Sequence, residues 1–304
     1  KFYNYWREIY AKKIDISEKK FINFIKEKKI KTISIDESLP QEKRNFILNI
    51  KKKCFVKILV IHGGLHTLKA KQNINKFLSK IDYYLSPGKI PIYTYSLKKK
   101  FIKSKKYIEI GSPRYAPEWI KVLDRINKIN KKNFFFSKKI KIGIFIRNNN
   151  FSNDKFNNLI KKLSKLDFIE IRFNSKPRDS LPESKSIIFK NKYNSSELIS
   201  WSDIIISYST SIIVEAILKD KKTILLDYIK VMKKNENSWF KKFKIINLAK
   251  KDSQVLNIIK NFDRNAKLTS NNAEKLKMLE FFISYKKGKN ILERYKNFYK
   301  KIEI

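Results

Sequence analysis

The sequence predicts an α/β protein made of two successive halves facing each other across a cleft, and three observations carry that expectation. β-Branched runs such as Ile204-Ile205-Ile206 recur, each followed by a helix-length interval, as in parallel strands covered on both faces. Polar groups gather just after those runs, where open parallel sheets present ligands. A lysine-rich polar stretch over residues 127–139 separates the two sets. The expected domains are therefore residues 1–135 and residues 136–304, the second ending in closing helices.

Composition is consistent with this size. The 304 residues and 42% hydrophobic content suffice for two cores of ordinary size. Lys and Arg number 70 against 28 acidic residues, giving +42, which at face value points to nucleic acid, an anionic membrane or an acidic substrate. The lysines are spread over every predicted helix, and Ile, Asn, Phe and Tyr are abundant beside them, a bias that A/T-rich coding produces by itself. Nucleic acid is discounted on that ground, and peripheral contact with an anionic membrane is retained. The single Cys54 excludes an intrachain disulfide and a multi-cysteine zinc site. It fits a reducing compartment, so the expected location is the cytoplasm, including the inner face of the cell membrane. No apolar run approaches the ~18 residues of a membrane span, and the start lacks a signal-peptide core.

Taken in order, residues 1–28 read as helical, with a capping box at Asp15/Glu18. Strands are predicted at 31–35, 56–61, 81–85 and 107–110, with helices at 41–53 and 69–80 between them. Pro117 suits the first turn of a helix reaching Ile129. The second set has strands at 141–146, 167–173, 186–189, 203–207, 223–227 and 244–247. Helices fall at 153–166, before the 203–207 strand, at 212–219, and near 237–242, 253–262, 271–285 and 288–301. In the last, Ile291, Leu292, Tyr295, Phe298, Tyr299 and Ile302 make one apolar stripe, for docking on the domains or for a cationic amphipathic membrane contact.

The stretch 201–228 carries the most chemistry. Its strand, hydroxyl-rich turn, helix and second strand form a βαβ unit. Ser209, Thr210 and Ser211 stand at the helix start, where free N–H groups and the dipole favour a phosphate. Glu215 follows Ser211 by four residues, on the same helix face, and suits a ribose diol. Ordinary capping accounts for the same residues without a ligand. Arg147, Lys176 and Arg178 follow strand ends and would offset donor charge.

In the first half, His62-Gly63-Gly64 follows a buried strand. The glycines allow close approach of a substrate, and an imidazole there acts as a general base or is simply hydrogen-bonded in its turn. His66 lies four residues on, but no third ligand accompanies the pair and the glycines oppose a continuous helix, so a metal is rejected. Gly111-Ser112-Pro113-Arg114-Tyr115 is a rigid turn that delivers Arg114 to a phosphate or carboxylate, or ties the turn to a neighbouring loop.

Three of these segments, in this order, resemble bacterial surface-polysaccharide and teichoic-acid transferases of the GT-B fold, including the CDP-glycerol glycerophosphotransferase group. Those enzymes have a strand ending His-Gly, matched by His62-Gly63, and a Gly-x-Pro-Arg turn, matched by Gly111-Ser112-Pro113-Arg114. They also have an Asp-led strand, a Ser-Ser pair and a carboxylate four residues later, matched by Asp203, Thr210-Ser211 and Glu215. Tyr208-Ser209 replaces a frequent Asp-Tyr, and Ala116 replaces an acidic residue, which weighs against glycerol-phosphate transfer in particular. The resemblance implies a GT-B-like fold of two Rossmann-like domains. The first half is short for that fold and the chain starts at Lys1, so a truncated N-terminal domain is expected.

The implied function is glycosyl transfer from a nucleotide-sugar donor to a glycan or lipid-linked glycan acceptor of the cell surface. Neither metal nor cofactor is expected, with His62 catalytic, Gly63, Gly64 and Arg114 along the cleft, and Glu215 on the donor ribose. Three alternatives stand: transfer of a polyol phosphate or of Kdo from CMP-Kdo, UDP-sugar 2-epimerisation, and a non-catalytic cationic protein binding nucleic acid or membrane.

Overall fold

The computed structural model describes residues 17–37, 39–61, 74–129, 139–145, 154–174, 194–208, 210–229, 239–264, 272–285 and 290–303. Two parallel sheets organise them.

The first sheet holds β1 (Thr32–Asp36), β2 (Lys57–Ile61), β3 (Tyr83–Ser86) and β4 (Tyr107–Glu109), side by side in chain order. Around them run α1 (Glu18–Glu27), α2 (Gln41–Cys54), α3 (Asn75–Leu78), α4 (Ile90–Thr94) and α5 (Lys99–Ile102). Parallel crossovers are right-handed, so a sheet in simple chain order receives its connecting helices on one face. Strand alternation shows that face: Ile58, Val60 and Tyr84 pack with Ile47 and Ile50 of α2 and with Phe77 and Leu78 of α3. Leu59 and Leu85 point the other way.

What covers that second face is the last helix, α12 (Ile291–Glu303), placing Phe298 and Ile302 against Leu59, Leu85 and Ile110. Tyr295 Oη donates to Gly111 O at 3.1 Å, and Lys57 Nζ to Ile302 O at 2.9 Å. The C-terminal apolar stripe is thus spent within the molecule, apart from Leu292, which stays exposed.

The second sheet has the order β6-β5-β7-β8-β9. Its strands are β5 (Ile140–Phe145), β6 (Ile169–Asn174), β7 (Ile204–Ser207), β8 (Lys222–Leu226) and β9 (Asn247–Ala249). α7 (Asp154–Leu163) and α10 (Asp252–Lys260) cover one face, around Ile144, Ile206 and Ile224. α8 (Ser195–Trp201), α9 (Ile212–Leu218) and α11 (Asn272–Ile283) lie on the other, against Ile205 and Leu225. From β5 the chain steps outward to β6, then returns to place β7 on the opposite side of β5. This reversal is a topological switch point, and the crevice beyond its strand ends is where such sheets bind ligands.

The helix α6 (Pro117–Ile129) links the halves and packs on α8. The junction is close elsewhere too. A Cβ on Gly88 would lie 2.6 Å from Phe281 O, and Lys89 N donates to that carbonyl at 2.8 Å. Ile90 and Tyr115 of the first half enter a core with Ile213, Phe240 and Phe282 of the second.

Most predicted elements recur within a residue or three, and the departures have reasons. The expected 244–247 strand is instead a turn after the 3-10 helix Trp239–Lys242, with Phe243 N bonded to Phe240 O and Ile246 N to Phe243 O. Ile245 and Ile246 are buried without pairing, and β9 starts only at Asn247. The first described helix is capped by Ser17, whose Oγ accepts from Lys20 N; Asp15 lies outside the described residues. So does the 186–189 strand, and of the 69–80 helix only its last turn is described. No described helix is long and apolar enough to cross a membrane.

Candidate functional site

The switch point brings β7 and its following turn to the junction of the halves. β7 is four isoleucine-rich, buried residues, and Ser207 closes it with an inward hydroxyl that donates to Tyr208 O at 2.7 Å and lies 3.0 Å from Thr210 Oγ1. These bonds tighten the turn that leads into α9. At the helix start, Ile213 N donates to Thr210 O and Val214 N to Ser211 O. Ser211 is the N-cap residue, but its side chain makes no capping bond.

Glu215 is 4% exposed, unusual for a carboxylate, and lies on the same short helix. Its Oε1 is 3.7 Å from Lys219 Nζ, an ion-pair separation beyond hydrogen-bond reach, and accepts no hydrogen bond among the described residues. The reason is stoichiometric. An ammonium has three donors, and those of Lys219 are matched by Asp124 Oδ1, Ser196 Oγ and Ser200 Oγ, each at 2.9 Å. Lys219 therefore lends Glu215 charge but no hydrogen bond, and a buried carboxylate oxygen is left without a donor among the described residues.

The rigid turn of the first half meets this region. Pro113–Tyr115 is one 3-10 turn, following Gly111 at φ +97°, a conformation that favours glycine. Tyr115 is buried, and its hydroxyl donates to Ser211 O at 3.4 Å. Burial raises its pKa, against the pull of Arg114 and the Ser211 bond, while the negative charge of Glu215 adds to the rise. Arg114 is exposed, its guanidinium 5.7 Å from the Tyr115 ring centre. Arg114, Ser211, Thr210 and Glu215, from two distant parts of the chain, are thereby neighbours around Tyr115.

Asp203 belongs to the opposite end of β7. Its Oδ2 accepts from Lys141 N at 2.9 Å and pairs with Arg264 at 3.1 Å, so it fastens the start of β7 to β5 and does not reach the turn. His62, Gly63, Gly64, His66, Arg147, Lys176, Arg178 and Ser209 lie outside the described residues. In the chain, His62 directly follows β2, and Arg147 comes two residues after β5. Sequence reasoning missed Tyr115, Lys219 and Asp124. Lys219 was within reach, standing four residues after Glu215; the Asp124 contact joins segments 95 residues apart and has no local signal.

Two parallel α/β sheets, joined in this way, define a GT-B-like fold. Among solved structures, a variant of the wall teichoic acid polymerase TagF is similar, at 17% identity over 90% of this chain and 73% of that one, with TM-score 0.56. The UDP-GlcNAc 2-epimerase from Neisseria meningitidis, bound to UDP-GlcNAc, is similar at 12% identity over 94% and 79% of the two chains, TM-score 0.60. Its counterpart from Methanocaldococcus jannaschii gives 14% identity over 82% and 75%, TM-score 0.55. At these identities the likeness is one of fold. No protein-family model and no curated protein sequence matches the chain.

Proposed function

We propose that this protein is a glycosyltransferase, taking a sugar from a nucleotide donor held at the switch point of the second sheet to a surface-glycan or lipid-linked acceptor. The observation that carries the reading is Glu215, a buried carboxylate with an oxygen lacking a hydrogen-bond donor, next to the Thr210–Ser211 turn. A ribose diol supplies two hydroxyl donors of the kind that oxygen lacks. Oε1 is closed to solvent, so a ligand reaches it only as the atoms enclosing it yield, and binding is coupled to that movement.

In this reading Arg114, Arg147, Lys176 and Arg178 balance the donor phosphates, with Ser209, Thr210 and Ser211 adding hydroxyls. His62 takes the proton of the acceptor hydroxyl, and Gly63 and Gly64 leave room for the acceptor. The acceptor oxygen bonds to the anomeric carbon as the bond from that carbon to the diphosphate oxygen breaks. The basic groups then hold the departing charge, without a metal.

The test is thermal unfolding with UDP, CDP, CMP, GDP or ADP, on the wild type and on Glu215→Gln. A ligand that binds the folded state raises the melting temperature by mass action. A rise of several degrees selective for one base, and lost in the variant, is expected. A folded chain that responds to no nucleotide rejects the reading. Turnover that needs an acceptor separates transfer from 2-epimerisation, which needs none.

A further inference from the structure

The helix α6 divides its surface unequally. One side faces the molecule, where Asp124 binds Lys219 and the half-buried Ile120 and Leu123 lie. The other side exposes Trp119 at 45%, Val122 at 42% and Ile126 at 47%. Positions i, i+3 and i+7 fall on one stripe, about 10 Å long at 1.5 Å per residue. Other exposed large apolar side chains among the described residues, such as Phe24, Tyr93, Phe168 and Leu292, fall one to an element. Isolated ones are ordinary, whereas a contiguous stripe marks a surface that meets something.

Lys121 and Arg125 are exposed beside that stripe. Glu118, the acidic residue between them and the stripe, has its Oε2 enclosed. The outward face is therefore apolar along one edge and cationic along the next, with an indole at one end, the pattern of helices that lie in the headgroup region of a bilayer. Charge selects the occupant. A second copy of a chain carrying +42 would be repelled, and a nucleic-acid backbone offers nothing apolar to cover Val122 and Ile126.

We propose that the exposed face of α6 docks this protein onto an anionic lipid bilayer, with Trp119, Val122 and Ile126 inserted among the acyl-chain ends and Lys121 and Arg125 against the headgroups. The site is distinct from α12, whose stripe is buried on the first sheet, and does not depend on the nucleotide reading. It does place the bilayer on the helix that starts three residues after Arg114 and ties Lys219 to Asp124.

The test is co-sedimentation of the full chain with phosphatidylcholine vesicles, with and without phosphatidylglycerol. Binding to the anionic vesicles only is expected. The triple variant Trp119→Ser/Val122→Ser/Ile126→Ser keeps the net charge and should bind at least tenfold more weakly. Lys121→Glu/Arg125→Glu should also weaken binding, since each basic residue near such a surface contributes roughly fivefold in partitioning. All five side chains are exposed, and circular dichroism checks that the variants fold. As a measure needing no binding variant, the wild type's tryptophan emission should be quenched by brominated acyl chains, and that quenching lost in Trp119→Phe. Undiminished sedimentation of the triple variant would overturn the proposal in favour of bulk charge. So would unquenched emission, or stripe-dependent self-association without vesicle binding.

Discussion

Each half of the molecule buries a carboxylate, and the two are housed in opposite ways. Glu37, 1% exposed at the end of β1, accepts from Tyr84 Oη at 2.5 Å and from Tyr95 Oη at 3.1 Å. The fully buried Arg44 donates to its main-chain oxygen at 2.7 Å. Glu215, 4% exposed, has the 3.7 Å ion pair with Lys219 and an oxygen with no hydrogen bond among the described residues. A carboxylate supplied with donors is part of the architecture, since burying it is offset by its partners. One kept underfilled by a lysine whose donors are all engaged elsewhere has capacity left for a ligand.

Substitution separates the two. Glu37→Ala should lower stability by about 2–4 kcal/mol in urea unfolding, because two buried tyrosine hydroxyls lose their acceptor beside a buried guanidinium. Glu37→Ala within about 0.5 kcal/mol of wild type would break the contrast.

The next effect is smaller and depends on pH. Burial, with other nearby ionisable groups, raises the pKa of Tyr84 and of Tyr95 well above the ordinary 10.0. Above that value the unfolded chain releases protons that the folded chain retains, so stability is complete below it and falls as pH rises beyond it. Tyr84→Phe should cost about 1 kcal/mol at neutral pH and flatten that alkaline loss, as read from urea midpoints across the range.

The smallest stability effect is expected at the second carboxylate. Glu215→Gln should stay within about 1 kcal/mol of wild type, because Lys219 keeps its three other partners. On the proposed reading, its expected signature is a lost nucleotide response in thermal unfolding. A stability loss as large as that of Glu37→Ala would make Glu215 architectural as well.

The strands were legible because a parallel strand covered on both faces needs a largely apolar run rich in β-branched residues, as Ile204-Ile205-Ile206 and the 56–61 run provide. The helix Pro117–Ile129 was legible in position and approximate length, proline marking its first turn. Residues 244–247 misled because burial of Ile245 and Ile246 imitates a strand while their backbone turns. In the site, the position of Glu215 on its helix could be read from spacing. Its missing donor could not, because that depends on Asp124, Ser196 and Ser200 meeting Lys219 from separate elements. The Glu37 cluster was equally opaque, joining residues 47 and 58 positions apart through tyrosines that look like ordinary core.

The return of α12 to the first sheet has a consequence for synthesis. A ribosome releases β1 to β4 early, yet Leu59 and Leu85 keep one side of the sheet bare until Phe298 and Ile302 have been made. At ordinary elongation rates that interval is on the order of tens of seconds, during which the nascent chain presents an apolar surface to chaperones and proteases. The half that is made first is the half that is finished last.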